Sequence, residues 1–255
     1  MLATKQNWLE LLTHFLSVLP TQILRGYDLE TAFSPDGRIF QLEYVEECID
    51  HGGTIVGVCC NEGVVLAKEV YVEPLPLSVT PNPFIKIFKI CNRIGLVHSG
   101  LLFDGHLAAR EAIKQAELIE KEGTVNIETL VEELYLFMQS YSQRKDVRPL
   151  GTALLVGGID LNDKPRLFLL KSSGLAREYK ACAAGVGSRE AEEILKRNYR
   201  TDLSLEEAVI LAIKATLRKR RRPEDVLVAT IDTKTKKFRE LTLEDKKNLW
   251  DKIFL

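Results

Sequence analysis

The sequence predicts an α+β chain in which two antiparallel sheets pack face to face and are covered by helix pairs. Three observations lead there. Short β-branched, apolar runs are separated by brief polar breaks, the signature of hairpins. Amphipathic helical stretches come two at a time, at 104–144 and at 188–220. Strands and helices are segregated along the chain rather than alternating one for one, which argues against a parallel doubly wound sheet. The chain has 255 residues and no repeat, low-complexity tract or internal linker, so one domain is the economical organisation.

Residues 1–26 read as an appendage to a domain spanning 27–255. Within it, the apolar stretch 8–24 is interrupted by Glu10, Thr13, His14 and Pro20, too short and too polar for a membrane span. No small-residue cleavage site follows, so it does not read as a signal peptide. Leu9, Leu12, Phe15, Leu16 and Leu19 recur at helical spacing, which predicts a short amphipathic helix and a cytoplasmic protein.

FSPDG at 33–37 is a turn, with Pro35 fixing φ and Asp36-Gly37 tolerating the tight bend. Residues 38–50 place apolar groups at 39, 42, 45 and 49, a one-sided helical stripe stopped by His51-Gly52-Gly53. Runs 54–60 and 63–70 flank Asn61-Glu62 as a hairpin. A Pro-rich loop at 74–83 precedes two strands, 84–90 and 93–100. The first helix pair follows, its second member capped by Asn126. Segments 151–160, 166–174 and 175–185 read as strands. The second helix pair opens at Ser188 and Ser204; Ser204 with Glu207 fits a capping box, whereas Ser188 and Glu192 are one place off. A hairpin around Thr233-Lys234 and a closing helix at 242–254 complete the chain.

Composition excludes several functions. Lys and Arg number 35 against 36 Asp and Glu, a net charge of −1 that calls for neither nucleic acid nor an anionic membrane. Cys48, Cys59, Cys60, Cys91 and Cys182 sit in apolar segments and read as free thiols in a reducing compartment. Cys59-Cys60 are adjacent on a strand, so they face opposite ways. His14, His51, His98 and His106 show no ligand spacing with them, and no metal or other cofactor is expected. Gly52-Gly53-Thr54 lacks the Lys-Ser/Thr pair of a phosphate loop, and Gly185-Val186-Gly187-Ser188 reads as a tight turn into a helix. The basic run at 218–222 has no interleaved aromatics and reads as a solvated helix end.

Tyr27-Asp28 followed by FSPDGRIFQLEY at 33–44 closely resembles the N-terminal signature of proteasome α-type subunits. The similarity continues through GGTIVGV (52–58), EGVVLA (62–67), IKIFKI (85–90), HSGL (98–101), VRPLG (147–151) and GVGS (185–188). It implies the four-layer αββα sandwich of N-terminal nucleophile hydrolases, two antiparallel sheets between helix layers. It also implies a non-catalytic subunit. Its partners would be the other α subunits of a heptameric ring, the catalytic β subunits, a hexameric regulatory ATPase, and unfolded protein in transit. In catalytic relatives an N-terminal Thr is the nucleophile and its own amine helps as base. That Thr aligns with Gly53 here and the catalytic lysine falls near Ile87, which argues against the alternative of an active hydrolase. The resemblance also carries over a gate cluster, Tyr27, Asp28, Pro35 and Tyr44. It likewise carries over a docking pocket for an activator's C-terminal carboxylate: Lys86 as its cation, Glu43 near the mouth, and Gly100 and Leu101 as its wall. Lys89 is expected on the opposite face of the same strand from Lys86. Departures from the family pattern are the long apolar N-terminal stretch, Lys68-Glu69-Val70-Tyr71 after EGVVLA, Arg144-Lys145-Asp146 before VRPLG, and Lys171-Ser172-Ser173-Gly174 at an otherwise acidic turn.

Overall fold

The computed structural model describes residues 32–70, 87–144, 147–217 and 222–253. The N-terminal appendage, the Pro-rich loop, Lys145-Asp146 and all but Arg222 of the basic run lie outside the described residues.

Helix α1 (Phe40–Asp50) leads into the hairpin β1 (Ile55–Cys60) and β2 (Gly63–Glu69). Strands β3 (Phe88–Cys91) and β4 (Ile94–Gly100) precede the pair α2 (Leu102–Glu122) and α3 (Ile127–Ser142). Four strands follow: β5 (Thr152–Ile159), β6 (Pro165–Lys171), β7 (Leu175–Glu178) and β8 (Ala181–Ala184). Then come α4 (Ser188–Asn198), α5 (Leu205–Thr216), β9 (Val226–Asp232), β10 (Phe238–Glu240) and α6 (Leu243–Ile253). The strands form two five-stranded sheets, ordered β10-β9-β2-β1-β8 and β3-β4-β5-β6-β7. Their paired neighbours run antiparallel, as the segregated element order predicts.

Strand periodicity explains the layering. In β2, Val64 and Leu66 point into the space between the sheets, where they meet Ile55, Val97, Leu155 and Leu167. Val65 and Ala67 point the other way, onto α4 and α5 with Val56, Leu195 and Leu211. A strand buried on both faces reads as a continuous apolar run, which is why GVVLA shows no alternation. The second sheet is covered by α2 and α3 through Leu96, Ala108, Ala112, Leu130 and Leu134. Cys60 belongs to the helix-covered face, while Cys59 packs against the inter-sheet core, so the adjacent thiols do face opposite ways.

Local signals hold where they are satisfied within a few residues. The β1–β2 hairpin closes with Cys60 opposite Gly63. Asn126 Oδ1 accepts the Glu128 N–H at 3.0 Å. Ser204 and Glu207 form the reciprocal capping box at 3.2 and 2.8 Å. Ser188 makes no side-chain cap, and Gly187 is the N-cap of α4.

One expectation is corrected. Segment 175–185 is not one strand but two, in different sheets: β7 pairs with β6, and β8 pairs with β1. The chain crosses between sheets at Tyr179-Lys180, where the Tyr179 N–H donates to Leu167 O and Lys180 O accepts from the Cys59 N–H. A second departure from the family pattern is resolved by pairing: Lys171 Nζ lies 2.7 Å from Glu46 Oε2 on α1, and the Ser173 hydroxyl donates to the other oxygen.

Candidate functional site

The turn before α1 is braced from within. Gly37 N–H donates to Ser34 O at 2.9 Å, and Ser34 Oγ donates to Asp36 Oδ1 at 2.7 Å. The Arg38 N–H donates to Ser34 Oγ at 3.1 Å. Gly37 holds φ at 79°, a conformation an L side chain resists. This rigid turn presents Pro35 to the outside together with Phe33, which is 70% exposed. Tyr44 on α1 is also exposed, so it is not a core tyrosine. Tyr27 and Asp28 lie outside the described residues.

Glu43 does not stand free beside Gly100 and Leu101. Arg38 Nε donates to its Oε1 at 2.7 Å, with a second contact from Nη2 to Oε2. That ion pair holds the Glu43 carboxyl below its ordinary range and raises the guanidinium.

Gly100 ends β4, and Leu101 is the extended N-cap of α2, partly exposed. Their position is set by Gly151 and Arg148 of the VRPLG block together with Asp104, which the sequence did not single out. Leu101 N–H donates to Gly151 O, and Gly151 N–H donates to Asp104 Oδ2 at 2.7 Å. Asp104, buried in the first turn of α2, also accepts from Arg148 Nη1 at 2.5 Å and Nη2 at 2.9 Å. Behind this wall, any Cβ at Gly52 would overlap Gly100 N, so the turn after α1 meets the end of β4 backbone to backbone. Lys86 lies outside the described residues. Lys89 is exposed while Phe88 and Ile90 on either side are buried.

The start of β1 carries no nucleophile. Gly53 O accepts from Ser99 Oγ at 2.9 Å. The hydroxyl of Thr54, fully buried, donates to Glu69 Oε2 at 2.8 Å and accepts the Gly187 N–H at 3.1 Å. Both functions of that hydroxyl are occupied by structural bonds, and Gly187 closes the tight turn that GVGS predicts. Ile87 is buried among the residues between the sheets.

Between these features opens a cleft of about 180 Å³ lined by Gly53, Lys68, Glu69, Ser99 and Gly100, among others. Lys68 Nζ donates to His98 O at 3.0 Å, and burial lowers its pKa to about 8. His98 is 1% exposed, and burial holds its imidazole well below its ordinary value. Burial raises the Cys59 thiol to about 12 and Cys182 also upward, which makes both poor nucleophiles. Among the described residues no group of three His, Cys, Asp or Glu side chains is placed to hold a metal ion, and no helix is long and apolar enough to cross a membrane.

Comparison with known proteins gives this geometry a family. The family model described as "Proteasome subunit" matches residues 49–224. A proteasome subunit alpha from Thermococcus sibiricus is 38% identical over 225 residues, covering 86% of this chain and 85% of that protein. One from Methanothermobacter thermautotrophicus is 38% identical over 222 residues, 85% of this chain and 88% of that protein. One from Methanocaldococcus jannaschii is 35% identical over 227 residues, 88% of this chain and 86% of that protein.

Proposed function

The chain belongs to the proteasome subunit family as a non-catalytic α-type subunit of the 20S core, and from that premise we propose that it gates the core and docks the C-terminal tails of a regulatory ATPase. The gate is Tyr27, Asp28, Pro35 and Tyr44, set in a heptameric ring above the β subunits. The dock is Lys86 with the Gly100–Leu101 wall, and Glu43 with its Arg38 partner lies on α1 near the mouth. Residues 1–26 form the pore-facing tail, and the subunit works in the cytoplasm, where five free thiols remain reduced.

The observation that carries this reading is the 33–38 turn. It is held by its own hydrogen bonds, yet it offers Pro35 and Phe33, and nearby α1 offers Tyr44, to the outside. An apolar and phenolic surface on a rigid scaffold suits contact with a neighbouring copy rather than solvent. Co-expression with a β subunit, followed by native mass spectrometry and peptide-hydrolysis assays, tests the proposal. Lys86→Ala cores should assemble and keep basal hydrolysis but lose ATPase-stimulated degradation. Asp28→Ala should lower stimulated peptide admission without dissolving the ring. Stimulation equal to wild type in both variants would overturn the gate and dock assignments.

A further inference from the structure

Lys68 is an unusual lysine. It is 7% exposed, and among the described residues its ammonium reaches one acceptor, the His98 carbonyl, which leaves two N–H donors for a further partner. Burial lowers its basicity, and no salt bridge to Lys68 is formed among the described residues. The neighbouring Glu69 is engaged with the Thr54 hydroxyl on the other face of β2. A buried cation without a counter-ion is costly, and the molecule has two ways to relieve the cost: release the proton or take up an anion. The second is open here, because Lys68 lines a cleft that reaches the surface.

We propose that this cleft, between the end of β2 and the β4–α2 junction, is a binding site for a carboxylate anion, with the Lys68 ammonium as its anchor. Its volume of about 180 Å³ admits a group the size of acetate or the terminus of a peptide. The anion accepts the two spare N–H donors and supplies the charge that burial leaves unbalanced. Among the described residues, the other titratable groups around Lys68 are already engaged. Glu69 is bound to Thr54, and His98 on β4 and His106 on α2 stand ring to ring, 5.8 Å between centroids. The proposal goes beyond tail docking at Lys86 and does not require it, since free acetate tests it directly.

Ligand-observed NMR with acetate, on the full chain in phosphate- and sulfate-free buffer, tests the site. Wild type should bind acetate saturably at about pH 6.5 and about 30-fold more weakly at about pH 9.5, where the amine has lost its proton. Lys68→Met should lose at least about ten-fold in affinity. Because the pH comparison uses one unaltered protein, it stands even where the variant folds poorly. A short peptide and its C-terminal amide identify the source: preference for the free acid over both acetate and the amide assigns the site to a chain terminus. Equal binding of acid and acetate assigns it to a free small carboxylate. The proposal is overturned if Lys68→Met binds acetate like wild type, if wild type binds equally at both pH values or shows no saturable binding, or if the amide binds as well as the acid.

Discussion

Replacing Asp104 with Ala probes how the Gly100–Leu101 wall is held. The carboxylate accepts the Gly151 N–H at 2.7 Å, pairs with Arg148, and sits in the first turn of α2. Losing the charged acceptor of a buried amide costs about 1.5–3 kcal/mol. Losing a negative charge at a helix N-terminus adds about 0.3–1 kcal/mol. The Arg148 side chain is 57% exposed, so solvent screening limits that pair to under about 1 kcal/mol. Asp104→Ala should therefore destabilise the chain by about 3 kcal/mol, a fall in Tm of roughly 6–12 °C for a domain of this size. Asp104→Asn keeps an acceptor for Gly151 and should lose about half as much. Arg148→Ala should lose least, because Gly151 still bonds to Asp104. Scanning calorimetry gives the ranking. Hydrogen exchange adds a local readout, since Leu101 N–H bonds to Gly151 O and should lose protection with Asp104. The reasoning fails if Arg148→Ala costs more than Asp104→Ala, or if protection at Leu101 is unchanged.

Ser204→Ala removes half of the capping box on α5 and should cost about 1 kcal/mol by urea titration, with Ser204→Thr largely retaining stability. Gly105→Ala would gain about 0.5–1 kcal/mol in an ordinary helix, but here the new Cβ overlaps the buried His98 ring, so a net loss of roughly 1–3 kcal/mol is expected and a raised Tm would contradict the packing. Lys68 has a folded pKa of about 8 against an ordinary 10.5, so the folded state binds fewer protons between those values. Stability therefore rises with pH across that window, and the buried charge weighs against folding below it. In anion-free buffer, Lys68→Met should flatten that rise and be more stable near neutrality by up to about 3 kcal/mol, and parallel wild-type and variant curves would refute this. The purified chain alone should not hydrolyse fluorogenic peptides, since Gly53 offers no hydroxyl, and inhibitor-sensitive turnover would reverse the non-catalytic assignment.

What the sequence determined by itself lies close together along the chain. The Ser204 box, the Asn126 cap, the Asn61-Glu62 hairpin and the opposed faces of Cys59 and Cys60 each depend on partners a few residues apart, where helix and strand periods dictate geometry. The segregated order of elements was enough to predict two antiparallel sheets under helix pairs, and the FSPDGRIFQLEY block was enough to point to the family. Tertiary structure alone decided the rest. Segment 175–185 looks like one strand because its local propensity is uniform. Only the competing edges of two sheets, β6 and β1, divide it. Asp104 meets Arg148 and Gly151 across 44 and 47 residues, and Gly105 accommodates the ring of His98 on another element. Lys68 breaks an apolar strand pattern in a way that marks no purpose until β4 places a lone carbonyl over its amine. Contacts of that kind follow from how two packed sheets register against their helices, and no local period along the chain encodes that registration.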